Sequence, residues 1–468
     1  MHIKRSATKR IWRTICIVLV LFLLLALLNA YIAQLPILQV IPGLFAMAWR
    51  TLLLFFILYV PAIWLLRRWC RRIAARWENG NEQKAKALNR FAKNNAALFG
   101  TVTILYACIL SLCAHWIAPD KTPYANEQIN EIAFKKPGFT VDLIKIPLGR
   151  SVQHTPFLQQ GISGAENNYR LMPVSWVKVQ DDTVVLKRYL GEDMEGMEMR
   201  MPLSDFERIQ DNIHSEKSFR AQCVLHRTFY LGTDDLGRDY LSRILLGVRV
   251  SLSVGIVAVC IALLIGIPVG AIAGFYKRSP PRFKWRKKGT AKKVPVDDMV
   301  MWGINVIWTI PTLLLVFPIV FAFGQQFYTI FIAVGLTMWV DIARIVRGQV
   351  MQVREMEYVT AAKAFGFSDM RTIFRHILPN ITGPVIVITA ANFAYAILTE
   401  AGLSFLGIGV QPPAPGWGLM ISKYKDNLIT DPYLPLLPGF AITLLVLSFF
   451  LVGNGLRDAL DVRGKWEN

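Results

Sequence analysis

Long apolar runs alternate with short polar stretches along this chain, and the lengths of those runs decide its class. A bilayer core of about 30 Å is crossed by about 20 apolar residues in a helix. Eight largely uncharged runs of about that length lie at 14–33, 48–66, 96–118, 250–276, 299–323, 326–343, 381–403 and 435–456. The sixth is the shortest, bounded by Gln325 and Gln326 on one side and Asp341 on the other, so it must pair tightly with the fifth. The first follows Lys4, Arg5, Lys9, Arg10 and Arg13, as a signal peptide would. No small-x-small cleavage site follows Leu25 to Ala33, so it is expected to be a retained anchor.

Between the third and fourth runs the pattern changes. Residues 119–228 are polar and punctuated by Pro and Gly, with β-branched and aromatic runs at Val174 to Val179 and Thr183 to Leu190. A small β-rich domain outside the membrane is predicted, serving as a lid or spacer, or else as a partner-docking surface. The expected fold is therefore an all-α polytopic membrane protein with a β-rich insert. Its parts are an N-terminal two-helix extension with a basic linker (1–95), a first core span (96–118), the insert and an interfacial helix (119–245), and a core with an inner loop at 341–380 (246–468).

Composition agrees with this reading. Hydrophobic residues make up 54% and charged residues 18%, against about 25% charged in an ordinary soluble chain, and mean hydropathy is +0.39. The formal charge of +20 invites either nucleic acid or a membrane face. With the N-terminus inside, the inner segments carry a net +21, whereas the outer stretch 119–245 carries −2. Almost all the imbalance then lies on one side of the membrane, which places both termini in the cytoplasm and makes nucleic-acid binding the poorer account. Cys16, Cys108, Cys113 and Cys260 fall in spans, Cys70 falls inside, and Cys223 is alone in the insert, so no disulfide closes within it.

Two polar stretches next to spans carry more specific signals. Leu231-Gly-Thr-Asp-Asp-Leu-Gly-Arg-Asp239 precedes an apolar stripe of Tyr240, Leu241, Ile244, Leu245 and Val248 and reads as a turn into an interfacial helix. Asp234, Asp235 and Asp239 fit turn and capping roles. The alternative, hard-cation ligands, would need the longer series of oxygen donors of a calcium loop. On the inner side, a helix starting at Glu357 can close at Gly366, whose missing Cβ permits the left-handed residue. Ser368 can cap the next helix. Met370, Ile373, Phe374, Ile377 and Leu378 form its apolar face, and Pro379 is expected to end it before the seventh span. Ala361 and Ala362 are small enough for another surface to approach closely. The apolar face suits a groove on a partner or the chain's own bundle equally well.

The segment Glu357 to Asn380 resembles the EAA loop of permease subunits in ATP-binding cassette importers. Ala361, Ala362, Gly366, Leu378 and Pro379 fit its pattern in register. Thr360 replaces the pattern's Glu, with Glu357 one turn earlier as a possible substitute, and His376 replaces an Ile. Leu231 to Leu252 and Leu403-Ser-Phe-Leu-Gly-Ile-Gly-Val-Gln-Pro-Pro-Ala-Pro-Gly-Trp-Gly418 narrow the resemblance to the dipeptide/oligopeptide/nickel importer permeases, in particular their second permease subunit. It covers the chain from about residue 90 onward and departs from the family in the two extra N-terminal spans and the enlarged insert.

The resemblance implies a six-helix permease core in a bacterial inner membrane, paired with a second permease. It also implies two cytoplasmic ATPases docking on Glu357 to Pro379 and an external binding protein that delivers peptides or peptide-like solutes. ATP and its Mg²⁺ are expected on the ATPases. This chain has no Gly-x4-Gly-Lys-Ser/Thr loop, and its six His residues are scattered, so no catalytic centre, metal or cofactor of its own is expected. Pro311 and Pro318 in the fifth span, with Gly266, Pro268 and Gly270 in the fourth, are candidate bends along a pathway; ordinary packing is the simpler account of them. Glu400, an acid inside the seventh span, either meets a peptide amine or is hydrogen-bonded near the interface, and its shallow depth favours the latter. Rival readings are a membrane sensor or assembly protein, which should lack a docking loop, and an ion-coupled carrier, which should show related halves.

Overall fold

The computed structural model describes residues 58–78, 82–148, 156–180, 182–191, 196–207, 216–277 and 296–460. The expected first span lies outside the described residues, and the second enters them at residue 58. Helix α1 covers 58–77, followed by α2 (Glu82–Lys93) and α3 (Asn95–Ile117). Asn94 starts α3 by accepting from the N–H groups of Ala96 and Ala97 at 3.1 and 3.2 Å. The α1 helix runs back along α3: Tyr59 stacks on Phe99 at 5.2 Å, and Arg67 donates to the Ala92 carbonyl at 3.1 Å.

The insert is a five-stranded antiparallel sheet of β1 (Phe139–Pro147), β2 (Tyr169–Gln180), β3 (Thr183–Arg188), β4 (Glu198–Pro202) and β5 (Val224–Phe229), in the order β4-β3-β2-β1-β5. Strand alternation sends Val141 and Leu143 to one face, where Ile129 and Ile132 cover them, and Ile144 to the other, under Phe206 and Phe219. A register shift between Val174 and Trp176 then keeps Val177 on the same face as Val174 despite the odd spacing. Both faces are thereby covered, as an independent small core requires.

Strand β5 leads through Leu231 to Asp239 into α4 (Tyr240–Phe275), one unbroken helix of 36 residues, roughly 54 Å long. No separate interfacial helix exists here. The stripe from Tyr240 to Val248 is the first part of the span itself, and Ser242, Arg243 and Gly247 are buried beside it. Helix α7 (Phe327–Arg354) packs along α4. A Cβ on Gly266, Gly270 or Gly274 would sit 2.8, 2.4 or 2.6 Å from an α7 carbonyl, so these glycines permit close helix approach rather than bending. Helix α7 continues past Asp341 to Arg354, thirteen residues into the stretch expected as loop.

The fifth expected span is two helices, α5 (Val296–Thr309) and α6 (Thr312–Phe323), bent by 91°. Pro311 sits at the bend, and Pro318 lies within α6. At about 21 and 18 Å, neither crosses a bilayer core alone. Beyond α7 come α8 (Glu357–Ala364), an irregular helix over Asp369–Ile381, α9 (Thr382–Phe405), α10 (Trp417–Tyr424) and α11 (Tyr433–Leu460). Among the described residues five helices are long and apolar enough to cross a membrane, six if the bent pair counts as one span. The chain is thus a mostly helical membrane protein with a small antiparallel sheet.

Candidate functional site

The loop after α7 is built from local rules. Met356 precedes α8, and Glu357 stands exposed in its first turn, where the helix dipole favours a carboxylate. Gly366 adopts φ +77°; its N–H donates to Lys363 O at 3.0 Å, and Phe367 N–H donates to Ala362 O at 3.2 Å, the paired bonds of a left-handed helix end. Ser368 caps the next turn, accepting from Arg371 N at 3.4 Å and from Thr372 N at 2.9 Å through its side chain and carbonyl. Pro379 does not end the helix. Lacking an N–H, it interrupts the regular ladder, which widens to a π turn over Ile373–Ile377 and tightens to 3₁₀ over Leu378–Ile381 before α9 continues.

The expected apolar face divides in two. Ile373 and Ile377 are buried with Val353, Val359 and Ile381 in the bundle core, whereas Met370 and Phe374 are 52% and 63% exposed and Phe365 is 82% exposed. Ala362 is buried and Ala361 exposed, so only Ala361 is open to another surface. His376 stacks on Phe367 at 5.6 Å, with the Arg371 guanidinium 4.3 Å over that phenyl ring. Asn380 donates to Tyr358 Oη at 2.9 Å and to His376 O at 2.7 Å. Three contacts tie the loop to the end of α4. Arg354 donates to Phe275 O at 2.7 Å, Lys363 Nζ lies 4.3 Å over the Phe275 ring, and Tyr276 Oη donates to Asp369 at 3.1 Å. Burial, with the adjacent Asp369 carboxylate, pushes the Tyr276 hydroxyl above its ordinary pKa.

The other end of α4 is locked differently. Buried Asp234 accepts from Leu236 N at 3.0 Å, Arg238 N at 2.9 Å and Arg238 Nε at 2.6 Å, with Arg243 Nε at 3.6 Å. Asp239 caps α4 by accepting from Ser242 N at 2.8 Å; burial, ahead of these hydrogen bonds, raises its carboxyl pKa. Asp235 accepts from Lys423 Nζ and Tyr424 Oη, both at 2.7 Å. Burial works against its charge, yet those two bonds hold its pKa below the usual carboxylate range. Tyr240 Oη donates to Leu434 O, and Trp417 Nε1 to Ile244 O at 3.0 Å. The three acids thus act as turn, cap and cross-link.

The remaining predicted residues lie apart from the loop. Glu400, five residues before the end of α9, is fully buried against the protein and hydrogen-bonded there. Ser404 Oγ donates to its Oε1 at 2.7 Å and accepts from Val410 N at 3.1 Å, which fixes the chain reversal at Gly407 (φ +80°). Two arginines escaped the sequence reading. Arg347 binds Asp297 through both oxygens at 2.6 and 2.7 Å, pinning α5 to α7. Arg249 donates to Ser111 O at 2.8 Å and Gly161 O at 3.1 Å, fastening the insert to α3, beside a cavity of about 640 Å³ between insert and bundle. An arginine bordering an apolar run was the available signal.

Comparison with known proteins covers mainly the part from α4 onward. The family described as binding-protein-dependent transport system inner membrane component matches residues 266–465. A dipeptide transport system permease protein of Alkalihalophilus pseudofirmus is 40% identical over 236 residues, 50% of this chain and 72% of the relative. A glutathione transport system permease protein of Pectobacterium atrosepticum is 36% identical, covering 50% and 73%. An oligopeptide transport system permease protein of Bacillus subtilis is 38% identical over 232 residues, covering 50% and 71%.

Proposed function

The chain belongs to the inner-membrane permeases of binding-protein-dependent ABC transport systems, of the dipeptide and oligopeptide type, and from this premise we propose how it works. It forms part of the pathway for peptides or peptide-like solutes together with a second permease. Two cytoplasmic cassette ATPases supply ATP hydrolysis with their Mg²⁺, and an external solute-binding protein delivers cargo to the side that carries the β-rich insert. Both termini are cytoplasmic.

The observation that carries the reading is the exposed apolar tip of the loop, Phe365, Met370 and Phe374, on a helix pair fastened through Lys363 and Asp369 to Phe275 and Tyr276 at the end of α4. An exposed apolar tip on a well-capped element is what helix-in-groove docking needs. Its fastening to α4 gives the docked ATPase a mechanical grip on a span. Closure of the ATPases favours one arrangement of the spans, because a ligand moves a conformational equilibrium only through differential affinity. Glu357, Ala361, Gly366 and Ser368 shape the docking element, and Ala362, His376 and Pro379 join it to the core. The Pro311 bend and Glu400 belong to the pathway side, as gate and as loop anchor.

Uptake of a labelled dipeptide by cells carrying the full transporter tests this. F365S/F374S should abolish uptake and the co-purification of cassette ATPase while the chain remains in the membrane. Retained ATPase association would overturn the docking role.

A further inference from the structure

The N-terminal corner of the molecule, outside the part matched by the family, carries a second surface. At residue 58 helix α1 lies level with the middle of the α3 span, where Tyr106 Oη donates to Leu58 O at 2.6 Å. It leaves the bilayer at the level where α3 begins, since Arg67 reaches Ala92 O and Asn95. Pro61, Trp64, Leu65, Arg68, Arg72 and Arg76 follow at helical spacing on the face away from buried Cys70 and Ala74, and all six are exposed. That face changes from apolar to cationic just where the helix leaves the hydrocarbon. From Arg68 to Arg72 it rises about 6 Å, close to the depth of one headgroup layer, given about 40–45 Å for a whole bilayer against about 30 Å for its core.

Among the described residues the charges on this face are uncompensated. Arg68, Arg71, Arg72 and Arg76 have no ion pair or hydrogen bond among the described residues. Of the two nearby acids, Glu82 is paired with Lys86 and Glu78 is exposed, against nine basic side chains over residues 67–93. The Arg68 guanidinium lies 5.2 Å over Trp64, and Trp64 and Trp69 are both exposed at the interface, the position tryptophan prefers in membranes.

We infer that the basic stripe Arg68, Arg72 and Arg76, with Trp64 beneath it, binds the phosphate headgroups of anionic phospholipids. The guanidinium fork matches a phosphate in two parallel hydrogen bonds. A lipid fits this face better than an acidic protein would, because the stripe continues without interruption into residues that face the acyl chains, and one phospholipid supplies both chemistries in that order. Anionic lipid concentrated in the cytoplasmic leaflet would fix the height of α1 and, through Arg67, the start of α3.

The test uses the full-length chain in nanodiscs of phosphatidylcholine with one quarter phosphatidylglycerol, the retained lipid being quantified by mass spectrometry after partial delipidation. The wild type should retain phosphatidylglycerol in preference, the preference should weaken as salt rises, and each arginine removed in R68Q, R72Q and R76Q should reduce it about fivefold. R68K/R72K/R76K should keep a weaker, still salt-sensitive preference, the charge remaining and the bidentate fork being lost. Equal retention in the triple glutamine variant, or a wild-type preference indifferent to salt, would overturn the inference. So would a triple variant that loses only a co-purifying acidic protein. Because these side chains point away from the bundle, unfolding in neutral nanodiscs should match wild type, which separates lipid binding from folding.

Discussion

The two ends of α4 are finished in opposite ways. At the insert end, buried Asp234 answers two backbone amides and an arginine, Asp235 bridges to α10, and Tyr240, Tyr424 and Tyr433 meet edge to face. At the loop end three polar or cation–π contacts hold the element, and its largest apolar side chains face outward. The first end meets most of its polar groups within the chain, although Asp239 Oδ1 and Arg243 Nε and Nη1 are buried without a hydrogen bond among the described residues. The second leaves apolar surface that only another molecule can cover. Under the proposed function the two are complementary, a fixed seat for the spans and an open surface for the ATPase.

The largest effect should come from breaking the finished end. D234A removes the acceptor of three hydrogen bonds and leaves Arg238 and Arg243 buried without it. A loss of about 3–5 kcal/mol follows, read as a large drop in thermal stability and in folded yield. At the loop end, G366V places a β-branched residue at φ +77°, costing about 1–3 kcal/mol locally. Transport should fail while membrane insertion and the unfolding of the insert stay unchanged, and full uptake would sink the coupling role of that turn.

A third change sharpens the contrast through pH. Because the folded pKa of Asp235 is held below its ordinary value of 3.8, its contribution is present above that value and disappears as pH falls through the folded pKa. D235N should cost about 1–2 kcal/mol at pH 7, and the gap to wild type in calorimetric unfolding should close below that value. The smallest effect on stability belongs to the loop tip: F374S should change it by no more than about 0.5 kcal/mol, since Phe374 packs on little in the isolated chain.

Local chemistry was the legible part. Gly366, Ser368 and the acids of Leu231 to Asp239 could be read because a left-handed turn, a cap and an Asx turn each involve neighbours within a few residues. What could not be read depends on distant partners. Hydropathy alone could not tell that α4 begins at Tyr240, because a span packed against protein tolerates Ser242 and Arg243. Pro311 marked a bend, but a right-angled one follows from how α5 and α6 meet their neighbours, including the Arg347–Asp297 pair fifty residues apart. That Glu400 is wholly shielded from solvent could not be read, because the reversal at Gly407, which brings Val410 back over it, is a tertiary event.

The continuity of α4 carries a consequence of its own. A shaft of 36 residues overreaches the bilayer at both faces, so a tilt of about 10° imposed at one tip sweeps the other through about 9 Å. Under the proposed coupling, a small swivel imposed at the loop end by nucleotide turnover would be magnified into a displacement of that size at the insert end, with no hinge required between the two.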